Sequence, residues 1–193
     1  SKTGELKWAF QQVPHDRWGY DVSSPPVLFD TQVNGETVKA VGQAGKTGWF
    51  YVLNRATGEL LYKSEPFVPQ QNLFADPTPA GVTVAPGIAG GSNWSPVSLN
   101  PHTEKVFISG IHWPATYYRK PLNIDESLPW QTYTYFEFAD IKPYGTLTAV
   151  DLISGKIDWQ HQSRLPMLGG TLATAGGLVF SGEGDGEFFA LDS

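Results

Sequence analysis

The sequence predicts an all-β protein built from repeated four-stranded antiparallel units, and three observations predict it. The first is composition: 21 Gly, 15 Pro and 13% aromatic residues suit short strands joined by tight turns. The second is texture, because strand-period runs and Gly-rich turns dominate and no stretch reads as a helix. The third is an internal repeat. Thr3-Gly4-Glu5-Leu6-Lys7-Trp8 matches Thr57-Gly58-Glu59-Leu60-Leu61-Tyr62 and Ser154-Gly155-Lys156-Ile157-Asp158-Trp159. The second and third copies follow a strand and an Asn or Asp, at Asn54 and Asp151. Such a residue closes a turn with its own side chain, and Gly supplies the positive φ.

In chain order, the first unit has strands near Pro26–Phe29, Val38–Gln43, Trp49–Leu53 and Leu60–Lys63. The second has Trp94–Leu99, Val106–Gly110, Thr146–Val150 and Ile157–Gln160. The third has Thr171–Thr174, Leu178–Ser181 and Phe188–Leu191, one strand short of four. Repeated four-stranded sheets suggest a β-propeller, whose rings have about 4–8 blades. About three blades do not close a ring, so the expected fold is an incomplete propeller over residues 1–193. The end, Asp192-Ser193, fits the start, Ser1-Lys2-Thr3-Gly4, as one blade turn. Either upstream blades are missing or copies assemble head to tail. In both cases a strand around Leu6–Gln11 is expected to pair with a strand like Phe188–Leu191 from outside this chain. Two insertions interrupt the pattern, near 64–91 with five prolines and near 111–145 with nine aromatic residues including Trp130. Loops of that length are functional or cover a face of the fold.

Composition excludes several chemistries. Thirteen Lys and Arg against 19 Asp and Glu give a net charge of -6, so no nucleic acid partner is expected. With 40% hydrophobic residues the chain can form a core. The absence of Cys removes disulfides, thiolate nucleophiles and Cys-based metal sites. No apolar run approaches a membrane span, and the first residues do not read as a signal peptide. Gly182-Glu183-Gly184-Asp185-Gly186 is too short for an EF-hand loop and reads as a hairpin turn. Gly87–Gly91 lacks the Lys-Ser/Thr of a phosphate loop.

His15-Asp16-Arg17-Trp18-Gly19-Tyr20-Asp21, with the repeated turn and its aromatic, resembles the pyrroloquinoline quinone (PQQ)-dependent dehydrogenases. These are the quinoprotein alcohol, methanol and membrane-type glucose dehydrogenases. The resemblance continues in the family's order through Gly45-Lys46-Thr47-Gly48-Trp49, Gly90-Gly91-Ser92-Asn93-Trp94-Ser95-Pro96 and Gly169-Gly170-Thr171-Leu172. It implies the C-terminal part of an eight-bladed propeller. The implied activity is oxidation of an alcohol or sugar hydroxyl, with two-electron transfer to PQQ beside Ca2+ or another metal ion. The implied acceptor is a cytochrome or quinone, and the implied compartment the periplasm.

The resemblance also assigns residues. Lys46 falls where the family sets an Arg or Lys against the quinone oxygens, a cation that suits charge building on them; Lys there resembles the glucose-dehydrogenase branch. Its ordinary reading is a solvated turn lysine. Asn93 falls where the family hydrogen-bonds the cofactor, and is otherwise a turn cap. Trp94 is a cofactor wall or core packing. Asp16 braces its loop through local hydrogen bonds, His15 reads as structural and Trp18 as packing. The family's general base follows this Trp, and here that position is Gly19. Asp21 is the substitute base and metal neighbour; on an extended strand it shares a face with residue 19, about 7 Å away. The departure leaves three readings: altered chemistry, a different base, or a propeller that binds cofactor without catalysis. A non-catalytic scaffold of the outer-membrane assembly kind is the rival from another class. Leu168, where some relatives carry Trp, implies a cofactor wall of another shape.

Overall fold

A computed structural model describes residues 3–121 and 132–193. Among the described residues there are strands and turns and no helix. The strands are β1 (Val27–Val33), β2 (Glu36–Ala44), β3 (Phe50–Asn54), β4 (Leu60–Lys63), β5 (Val82–Val84), β6 (Ser98–Asn100) and β7 (Lys105–His112). They continue as β8 (Ala115–Pro121), β9 (Thr132–Phe138), β10 (Tyr144–Asp151), β11 (Ile157–Ser163), β12 (Leu172–Ala173), β13 (Leu178–Gly182) and β14 (Phe188–Asp192).

The first sheet runs β1-β2-β3-β4, the second β11-β10-β7-β6 and the third β12-β13-β14, every pair antiparallel. The three units of the sequence are these three sheets. Alternation along the strands explains how they stack. On β7, Val106 and Ile108 point toward the first sheet and join Ala40, Ala44, Phe50 and Val52. Phe107, between them, points the other way and joins Leu147, Ala149, Met167 and Val179. The middle sheet is therefore buried on both faces. This is the packing of successive propeller blades, and three of them leave the ring incomplete.

Each repeated turn is built as the sequence implies. Asn54 Oδ1 accepts from the amides of Ala56 and Thr57, and Asp151 Oδ1 from Ile153 and Ser154. Gly58 and Gly155 close these turns at φ +78° and +70°. A residue from the preceding repeat covers each turn. Trp8 Nε1 donates to Arg55 O at 3.1 Å, and the Tyr62 hydroxyl donates to Leu152 O. A Cβ at Gly58 would lie 2.6 Å from Trp8 Cδ2, whereas one at Gly35, also left-handed, meets nothing within 4 Å. Gly58→Ala is expected to cost about 1–3 kcal/mol and Gly35→Ala about 1 kcal/mol or less. Urea denaturation of the two full-length variants checks the difference.

Residues 5–11 lie in no sheet among the described residues, as expected of a strand whose partner would come from outside this chain; Leu6 is exposed. Two expectations need correction. The strand expected at Trp94–Leu99 is only Ser98–Asn100, since Pro96 has no amide to donate. The two insertions are not mere loops. β5, from the first, pairs with β8, and β8 with β9, both from the second. The second excursion leaves the ladder after the His112↔Tyr144 pair; Trp130 lies outside the described residues. This fourth sheet packs Val84, Ala115 and Tyr117 against Val13, Trp18 and Tyr20. It thus backs the segment that carries Gly19 and Asp21.

Candidate cofactor site

Three stretches converge where β2 turns into β3. The turn Gly45–Gly48 carries Lys46. Backbone hydrogen bonds fasten it to the stretch 90–92: Gly91 N donates to Lys46 O at 2.6 Å and Ser92 N to Gly45 O at 3.2 Å. The approach demands glycine. A Cβ at Gly91 would lie 2.5 Å from Gly48 Cα, and one at Gly90 would lie 2.3 Å from Lys46 Cγ. The pair Gly90-Gly91 is therefore the slot through which the lysine stem passes. The third stretch, 18–24, lies across both. Ser23 Oγ donates to Asn93 Oδ1 at 3.2 Å, and Ser24 Oγ to Ser95 O at 3.0 Å.

Lys46 is not a solvated turn lysine, for its side chain is 7% exposed. A buried ammonium needs partners. Lys46 Nζ donates to Gly19 O and to Asp21 Oδ2, each at 2.9 Å. An ammonium has three donors, so one N–H remains. Asp21 is 72% exposed and its other oxygen is open. Asp21 does meet the site, though not as one face of an extended strand. Gly19 sits at φ +75°, which turns its carbonyl and the Asp21 carboxylate onto the same ammonium. Asp16 sets this bend by accepting from Trp18 N at 2.9 Å and Gly19 N at 3.1 Å. Behind it, the Trp18 indole donates to Ala75 O and the Tyr20 hydroxyl to Pro86 O. Burial, first, and then the nearby Tyr117 and Asp16 push the Tyr20 phenol far above its ordinary range; it stays a neutral donor.

Asn93 does cap its turn, with Nδ2 donating to Ala89 O at 3.0 Å. The amide keeps one further N–H. Trp94 is not core: it is 75% exposed. Leu168, 68% exposed, is held beside it, because Ser95 Oγ donates to Leu168 O. Ser92 Oγ is buried without a hydrogen-bond partner. Ser23, Ser24 and Gly90 are site residues that sequence reasoning did not assign. Gly90 stood inside a quoted motif; the two serines carry no local signal.

This donor set suits a flat anionic group bearing carbonyl oxygens: a buried ammonium and an amide each with a spare N–H, and an open indole face. It does not by itself make a metal site. No group of three or more His, Asp and Glu stands together among the described residues; of the residues brought together here, Asp21 is the one carboxylate that could reach such an ion.

A family model for the PQQ-dependent glucose/ethanol/alcohol dehydrogenase β-propeller domain matches residues 1–74. Over 99% of its length the chain is 34% identical to the quinoprotein alcohol dehydrogenase PedE of Pseudomonas putida, covering 34% of that protein. The chain belongs to the PQQ-dependent dehydrogenase family. It is 32% identical, over 99% of its length and 34% of the relative, to the quinoprotein ethanol dehydrogenase of Pseudomonas aeruginosa. A solved quinohemoprotein alcohol dehydrogenase of P. putida, 29% identical, superimposes with a TM-score of 0.83 over 98% of this chain and 32% of that one. The chain thus spans about a third of the length of the relatives it matches. In this PQQ-dehydrogenase propeller, Gly19 tests whether an acid can be restored at the base position. A Cβ there would meet Ile88 Cδ1 at 3.1 Å, on a left-handed backbone. Gly19→Asp is expected to destabilise by about 1–2 kcal/mol and to leave turnover no higher. Denaturation midpoints and steady-state rates check both.

Proposed function

We propose that this chain forms part of a PQQ-dependent dehydrogenase that oxidises an alcohol or sugar hydroxyl. The observation that carries the proposal is Lys46. The fold buries its ammonium, clamps it on Gly19 O and Asp21, and leaves one N–H over. A propeller scaffold has no need of a buried cation beside an exposed indole. PQQ, when bound, supplies the two-electron acceptor. Lys46 would hold it through its quinone oxygens, Asn93 through its spare N–H, and Trp94 would lie against its plane. Lys46 is preorganised, so its positive charge favours negative charge on an oxygen it touches without rearrangement. The Asp21 carboxylate would take the hydroxyl proton as base, through the oxygen not bonded to Lys46. Ca2+ or another metal ion would meet this chain at Asp21, with its other ligands from elsewhere. A haem-bearing acceptor is supported by the relative named quinohemoprotein, and the periplasm by resemblance.

A second reading is favoured by Gly19, which has no side chain and a backbone unsuited to one: a PQQ-binding propeller that does not turn over. Titrating PQQ into the full-length protein and adding ethanol or glucose with an artificial electron acceptor separates the readings. Alcohol- or sugar-dependent reduction supports the dehydrogenase. PQQ binding without turnover supports the second reading, and no binding overturns both.

A further inference from the structure

Outside the site, the opening segment and the first insertion enclose a cavity of about 250 Å³ against the first blade. Its walls are aromatic: Phe10, Trp18, Trp49, Tyr51 and Phe74. The rings touch in series. Phe10 meets Tyr51 at 6.3 Å, Tyr51 meets Trp49 at 6.3 Å, Trp49 meets Phe74 at 6.4 Å and Phe74 meets Trp18 at 5.5 Å. Hydrogen bonds fix two of the walls. The Trp18 indole donates to Ala75 O at 2.8 Å, and the Tyr51 hydroxyl bonds Thr47 Oγ1 at 3.0 Å. Phe74 adopts a left-handed backbone, φ +67°, and stays 40% exposed. Such a conformation is uncommon for a bulky residue, and here it holds the ring at the cavity instead of in a core.

One cation stands at this cavity. Lys63 Nζ lies 3.7 Å from the Trp49 ring centre. Among the described residues no carboxylate lies within ion-pair distance of it. We infer that this cavity binds a small flat aromatic carboxylate, its rings laid against the accessible Phe10 and Phe74 over a floor formed by the buried Trp18 and Tyr51, and its charge met by Lys63. Aromatic faces also attract cations, but Lys63 already holds that position over Trp49 and would repel a second one. The volume suits about two fused rings, at the small end of ligand pockets. The inference uses neither Lys46 nor Asn93 and stands apart from the cofactor reading.

The test titrates 2-naphthoate into the full-length protein by calorimetry. Binding is expected, weakened about tenfold in Lys63→Met, restored in Lys63→Arg and unchanged in Lys46→Met. Neutral 2-naphthamide should bind wild type and Lys63→Met alike. Three results would overturn the inference. One is no binding of 2-naphthoate. Another is tighter binding of trimethyl(2-naphthylmethyl)ammonium than of the acid. The third is weakening by Lys46→Met instead of Lys63→Met, which would put the probe in the cofactor site and leave the cofactor reading standing.

Discussion

Lys46→Met should lower turnover of the PQQ-loaded full-length protein by about 10²–10³ and loosen PQQ about 10- to 100-fold. Methionine keeps an apolar stem for the slot at Gly90 and removes only the ammonium. Folding should survive, because Lys46→Met removes the buried charge itself and leaves as the only unpaired charge the Asp21 carboxylate, which is exposed and takes up water. Gly19 O loses a donor and can take water in its place. The loss should therefore appear in the cofactor titration and the rate, with the unfolding midpoint nearly unchanged. If titration and rate both match wild type, Lys46 does not face the cofactor.

Asp21→Asn should cost about 10²–10⁴-fold in turnover if Asp21 takes the proton. Asn keeps the shape and can still accept from Lys46, so the ammonium stays anchored and PQQ binding should fall far less than the rate. Asp21→Ala with added formate makes the distinction sharper. A small carboxylate diffusing into the gap would restore a base, and recovery of rate with formate concentration is the expected result. Full activity in Asp21→Asn would remove Asp21 from the chemistry and place the base outside this chain.

The blades were legible because their signals are local and repeated. Asn54 and Asp151 close their own turns, and alternation on β7 and β10 tells which residue faces which neighbour. The cluster around Lys46 was legible only as a motif. That Lys46 is buried and clamped follows from a carbonyl turned by the left-handed bend at Gly19, and no spacing rule reports a carbonyl's direction. Reading residues 19 and 21 as one extended strand missed that bend. The segment 5–11 keeps a strand-like repeat pattern without a sheet here, because a strand needs a ladder partner and the one expected for it lies outside this chain. The sheet β5-β8-β9 stayed hidden because its halves lie far apart in sequence, and the β5 half is only three residues long.

That fourth sheet makes the two insertions one structural unit. Among the described residues β5 finds its ladder only on β8, so a change that removes either strand breaks the sheet. The coupling reaches the cofactor side as well. A Cβ at Gly87 would lie 2.5 Å from Trp113 O and 2.7 Å from Ala115 N, so the second insertion props the approach to Gly90 and Lys46. Chimeras between relatives that swap one insertion would unseat the lysine, and only paired transplants would carry an intact site.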